Sequence, residues 1–176
     1  FLDYLLENNK SIKRLTYLDA DLYFWDNPEM IYGNQPNCSV LLSKGEVSLP
    51  FVSSSISKTL QGIMGNYNSG LISFKNDVHG RACIKWWKEK CLNSCVSVPT
   101  DGQFGDQKYL DEVTFLFESV EEIQTPGVNI GHWNNLSHQF YRARNKILID
   151  GYPLICYHFS GVRIVSPGKI FMIHEY

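Results

Sequence analysis

A chain of 176 residues with 44% hydrophobic and 14% aromatic content can bury one substantial core, which excludes a disordered segment and fits a single domain over 1–176. Lys and Arg number 16 against 18 Asp and Glu, a formal charge of −2, and no basic run tracks a phosphate backbone, so a nucleic-acid partner is not expected. Cys38, Cys83, Cys91, Cys95 and Cys156 form no CxxC pair and read as reduced thiols of a cytosolic protein, while no apolar stretch reaches the about 20 residues of a membrane span.

"FLDYLLENNKS" opens the chain with Leu2, Leu5 and Leu6 on one helical face and no cap, and it reads as the end of a helix whose start is missing. Leu15, Tyr17 and Leu18 then form a short strand that ends in Asp19 and Asp21. The stretch from Gly33 to Met64, rich in Ser, Gly, Pro and Asn, reads as irregular or as a mobile excursion near the site. A buried strand is expected over 69–74 ("SGLISF") and a helix over 76–95, with Ile84, Trp87, Cys91 and Cys95 on a core-facing stripe. A further helix is expected over 106–117, and two late strands over 146–151 and 154–159. This order of elements predicts an α/β fold, with ligands at the carboxyl ends of the strands.

Acids at i and i+2 after a strand can offer hard oxygen ligands to Mg²⁺ or Mn²⁺, ions that keep open positions for substrate phosphates. The same spacing also occurs at solvated strand ends. Asn68, Ser69 and Gly70 make a small polar loop before the 69–74 strand, and Asp106 and Gln107 stand after two glycines at a helix start. His158 closes an apolar strand, where a hydrogen-bonded core histidine and a metal ligand are both open readings. In "PGVNIGHWNN" (126–135), Asn129, His132, Trp133 and Asn134 fit either a sugar-stacking loop or a packed turn.

In order, "YLDADLYF", "YNSGLISF", "GDQKYLD" and "YHFSG" resemble the DxD motif, the Asn-small-Gly strand, the Asp-Gln helix start and the late His of GT-A fold glycosyltransferases. The resemblance is to family 8 and related bacterial enzymes, and it runs over residues 15–161. It implies a Rossmann-like GT-A fold, a mixed sheet with flanking helices, lacking its N-terminal part here. It further implies Mn²⁺ or Mg²⁺ held by Asp19, Asp21 and His158, a donor sugar beside Asn68, Ser69 and Gly70, and Asp106 and Gln107 near the anomeric carbon. The implied reaction is hexosyl transfer with retention from a nucleotide sugar, a UDP-sugar first among them. The resemblance also implies an acceptor that is a saccharide or glycolipid of a bacterial surface glycan, met in the cytoplasm at the inner membrane face by peripheral contact.

The family's Lys-Pro-Trp after the late His is absent from "HFSGVRIVSPGK", which leaves Arg163 or Lys169 as the candidate to contact phosphate in its place and Asn129 as a further donor-binding candidate. The same acids also allow a haloacid-dehalogenase-like phosphatase, with Asp19 as nucleophile, Asp21 as acid/base and Asp106 with Asp111 on Mg²⁺. Tyr23 and the polar "VPTDGQF" depart from that family's pattern. A non-catalytic carbohydrate-binding relative is the third reading.

Overall fold

Apolar runs bounded by caps and glycine turns divide the chain into short elements, seen in a computed structural model that describes residues 1–33, 35–49, 51–100 and 102–172. Helix α1 (Leu2–Asn8) buries Leu6 and ends where the amides of Asn8 and Asn9 donate to the carbonyls of Tyr4 and Leu5. Strand β1 (Arg14–Leu18) follows, then β2 (Leu22–Phe24) and a 3-10 turn at Pro28–Tyr32. The 33–64 stretch is not irregular throughout: it contains strand β3 (Val40–Lys44) and helix α2 (Ser54–Met64), the latter capped by the Ser53 hydroxyl. Strand β4 (Tyr67–Lys75), α3 (Val78–Asn93), α4 (Leu110–Leu116) and β5 (Val120–Glu122) come next. Seven short strands close the chain: β6 (Ile130–Gly131), β7 (Phe140–Ala143), β8 (Lys146–Ile149), β9 (Tyr152–Pro153), β10 (Cys156–His158), β11 (Val162–Ser166) and β12 (Lys169–Met172).

The central sheet is four-stranded, in the order β1-β4-β3-β5, with β4 antiparallel to both neighbours and β3 parallel to β5. A second, three-stranded sheet runs β2-β10-β6, and β7-β8-β9 and β11-β12 form smaller antiparallel sets. The chain is therefore mixed α/β. Val40, Leu42, Ile72 and Phe74 face α1, α3 and α4, while Leu41 and Leu71 face Ile31, Ile155 and Cys156. With both faces covered, Val40, Leu41 and Leu42 are all 0% exposed. Full burial of each such side chain is worth about 1.5–3 kcal/mol, so β3 is a main stabiliser of the sheet.

Helix α3 is shorter than the spacing predicts. It ends at Asn93, so Ile84 and Trp87 are buried on it, Cys91 is half-buried and Cys95 lies exposed beyond its end. All five cysteines are free. At the other end the Asp77 carboxylate caps α3 by accepting from the Gly80 N–H (2.9 Å), and it also accepts from the Ser39 hydroxyl (2.9 Å) on the segment leading into β3. Burial acts to raise the Asp77 pKa, but these hydrogen bonds carry it below the usual carboxylate value. A depressed folded pKa means that the cap is complete above the ordinary carboxylate range and is lost as pH falls through the lowered value. Asp77→Ala is expected to cost about 1 kcal/mol near neutral pH and progressively less in acid, measured by urea unfolding at several pH values.

Helix α4 begins at Leu110, not Asp106, because the residues from Gly105 to Tyr109 are taken up in successive turns. Among the described residues no helix is long and apolar enough to cross a membrane.

Candidate functional site

Three elements deliver the acids and the histidine to one place. Strand β1 ends at Leu18, and the Asp19 N–H donates to the Gly70 carbonyl of β4 (2.8 Å), which fixes the exit of the turn. The turn closes when the Leu22 N–H donates to the Asp19 carbonyl (3.2 Å), so Asp21 enters β2 beside β10. There Leu22 pairs with His158, and the Phe159 N–H donates to the Asp21 carbonyl (2.9 Å). One ligand atom from each of Asp19, Asp21 and His158 lies within 4.8 Å of the others. His158 Nε2 is 3.0 Å from Asp21 Oδ1 and 3.6 Å from Asp19 Oδ2.

The imidazole is buried, with its side chain 4% exposed, while the carboxylates of Asp19 and Asp21 are 36% and 47% exposed. A fixed nitrogen at the back and two oxygens reachable from solvent leave an approach for a cation. The Tyr17 hydroxyl donates to Asp19 Oδ1 (2.7 Å), which turns Oδ2 toward the histidine. That hydrogen bond, and then burial and the charges of Asp19, Asp106 and Asp21, raise the Tyr17 pKa. The phenol therefore stays a donor. Behind His158 stands Trp133, edge-to-face with centroids 5.3 Å apart. The Trp133 indole N–H is buried with no acceptor among the described residues, a cost of about 1–3 kcal/mol for an unmet donor.

Strand β4 breaks register here. Leu42 of β3 pairs with Ile72, yet the next residue, Ser43, pairs with Asn68, which leaves Ser69, Gly70 and Leu71 bowed out of the β3 ladder. Such bulges re-aim backbone and side chains. The bow presses Gly70 against the cluster: a Cβ there would stand 2.3 Å from His158 Cε1 and 2.8 Å from Asp19 Oδ2. Asn68 and Asn129 stand behind the histidine, with His158 Nδ1 3.1 Å from Asn129 Oδ1 and Asn129 Nδ2 2.9 Å from Asn68 Oδ1.

The remaining expected residues lie at varying remove. Gln107, 9% exposed, spends both ends of its amide inside the protein: Oε1 accepts from Asn68 Nδ2 (3.1 Å) and the Ser69 N–H (3.3 Å), and Nε2 donates to the Met64 carbonyl (2.9 Å). Asp106 is half-buried, with its carbonyl accepting from the Trp87 indole (2.9 Å). Asp111 is held by Lys108 (2.8 Å) and the Asn66 N–H (2.6 Å). Neither acid joins the three-ligand group, so the phosphatase assignment has no shared ion site among the described residues. Arg163 is exposed on β11, paired in register with Phe171, and Lys169 is exposed on β12. In the 126–135 loop, Asn134 Oδ1 accepts from the Gly131 N–H (3.0 Å) and His132 stacks edge-on against Trp133 (5.4 Å). Sequence reading missed Tyr17 as an orienting hydroxyl and Ser43 as a partner of Asn129 (2.6 Å). Tyr17 sits two residues before an acid on the same strand, a spacing that could have shown it.

No protein-family model matches the chain. It is 51% identical over 176 residues to YfnF of Bacillus subtilis (strain 168), described as an uncharacterized protein, and covers 58% of that protein. It is 27% identical over 168 residues to YfnD of the same organism, likewise described as uncharacterized, and covers 52% of it. The chain thus spans little more than half the length of the curated relatives it matches.

Proposed function

We propose that the chain carries the metal and donor site of a glycosyltransferase that moves a sugar from a nucleotide-diphosphate sugar to a saccharide or glycolipid acceptor. The observation that carries this reading is the convergence of Asp19, Asp21 and His158, which come from two distant parts of the chain. The two carboxylate oxygens suit Mn²⁺ or Mg²⁺, the imidazole nitrogen favours Mn²⁺ of the two, and three protein ligands leave positions for diphosphate oxygens. When bound, the ion neutralises charge on the leaving diphosphate.

The chain's own groups do the rest. Tyr17 and the Gly70 carbonyl hold Asp19, the backbone of Phe159 holds the turn at Asp21, and the bowed backbone brings Gly70 close against His158 and Asp19. Asp106, half-buried, is assigned by the Asp-Gln motif to orienting donor and acceptor. A UDP-sugar donor, retention at the anomeric carbon, phosphate contact by Arg163 or Lys169 and work at the cytoplasmic face of a membrane belong to the same proposal.

A thermal-shift screen of UDP-, GDP-, CMP- and dTDP-sugars with and without Mn²⁺ tests it. A ligand present at about 100 times its Kd adds about 2.7 kcal/mol to stability, a readable rise in Tm. The expected result is a shift that needs both the metal and one nucleotide sugar. A shift with a simple phosphoester instead would favour the phosphatase.

A further inference from the structure

We infer that Asn129 is a positioning residue that fixes the tautomer of His158, and that Asn68 and Gln107 hold Asn129 in the orientation this requires. The orientation can be read outward from backbone groups, whose roles are unambiguous. The Gly70 N–H can only donate, so the Asn68 atom 3.0 Å from it is the carbonyl oxygen. The other end of Asn68 is then its NH₂, which donates to Gln107 Oε1 (3.1 Å); that oxygen also accepts from the Ser69 N–H (3.3 Å). Gln107 Nε2 faces the Met64 carbonyl (2.9 Å), which can only accept. Both amides are thereby pinned.

Asn129 follows. The atom 2.9 Å from Asn68 Oδ1 must be its NH₂, which also meets the Ser43 hydroxyl at 2.6 Å. Asn129 Oδ1 is left 3.1 Å from His158 Nδ1, and because a carbonyl only accepts, Nδ1 carries the hydrogen. A neutral ring has one proton for two nitrogens. In the neutral ring Nε2 is then the lone pair, 3.0 Å from Asp21 Oδ1 and 3.6 Å from Asp19 Oδ2. A lone pair and two carboxylates repel one another unless a proton or a metal cation sits among them. Without the lock, the ring would place its proton on Nε2 and donate it to Asp21, and that nitrogen would no longer ligate. Asn129 is 1% exposed, and it holds a φ of 53°, a left-handed conformation that Asn tolerates better than most residues. Gln107, with both amide ends engaged, acts through this relay rather than on the substrate.

The inference rests on His158 being the ligand, but the tautomer is measurable without metal. Nitrogen chemical shifts of the His158 ring, taken on the metal-free chain at a pH where the ring is neutral, distinguish N–H from lone-pair nitrogen. The wild type is expected to show Nδ1–H. Asn129→Gly, which keeps the positive φ without strain, is expected to show Nε2–H and to bind Mn²⁺ about 10–100-fold more weakly, the usual effect of losing an outer-shell partner. Asn129→Asp keeps an oxygen opposite Nδ1 and is expected to retain the Nδ1–H signature. A wild-type ring with Nε2–H, or an Nδ1–H signature that survives in a folded Asn129→Gly, overturns the inference. If the tautomers follow expectation while neither protein binds Mn²⁺, the lock stands and the metal reading fails.

Discussion

His158→Ala and Asp21→Ala are each expected to weaken Mn²⁺ binding by more than about 100-fold, because removing a partner one shell further out already costs about 10–100-fold. The two contribute differently. His158 is the buried nitrogen against Trp133, so its loss also opens a hole behind the carboxylates and lowers stability. Asp21 is about half exposed, so its removal is expected to leave the fold intact while the affinity falls. Asp19→Ala adds a side effect, since the Tyr17 hydroxyl loses the carboxylate it donates to at 2.7 Å. His138 and Asp150 offer an internal control: the same residue types meet at 2.6 Å outside the cluster. Calorimetric titration with Mn²⁺ should show Asp150→Ala equal to wild type, and affinity loss in that variant alone would move the metal site elsewhere.

Gly70→Ala is the second large effect. The added methyl group would lie 2.3 Å from His158 Cε1, 2.8 Å from Asp19 Oδ2 and 2.9 Å from Asn68 Oδ1, all of them groups held by the relay or the turn. None can swing away cheaply, so about 1–3 kcal/mol of stability is expected to be lost, as for other overpacked sites. Relief of the contact separates His158 from the acids, so Mn²⁺ affinity falls with it. Gly62→Ala, where the new methyl group meets nothing within 4 Å on α2, should be neutral or slightly stabilising, since Ala is the better helix former by about 1 kcal/mol. Urea unfolding of both variants separates the two cases. A Gly70→Ala protein with wild-type stability and affinity would mean that the β4 bow does not press on the site.

The acids and the histidine were legible because each stands at the end of an apolar run, where a change from apolar to polar residues marks a strand's mouth. Asp19 and Asp21 follow "LTYL" and His158 follows "LICY", and the pairing of β2 with β10 then brings them together. What lay between 33 and 64 was not legible. Strand β3 is only five residues long and is buried on both faces, so it shows no alternation, and α2 has no buried residue to set a helical stripe. Ser43, which meets Asn129, was hidden with them. The expected helix start at Asp106 failed for a different reason: Gln107 turns inward to reach Asn68, the Ser69 backbone and Met64, and those contacts belong to a turn. Asn129 was visible as a donor-binding candidate in a glycine-bearing loop, not as a partner of His158. Its place behind His158 comes from β6 lying parallel to β10, a long-range pairing that periodicity does not show.

The most direct measurement is the electron paramagnetic resonance of Mn²⁺ titrated into the 176-residue chain. Free aqueous Mn²⁺ gives a sharp signal that broadens when protein side chains replace water. Signal loss is expected to saturate at one ion per chain and to be absent from both Asp21→Ala and His158→Ala. An undiminished free-ion signal with the wild-type protein, or loss that persists in both variants, would contradict it.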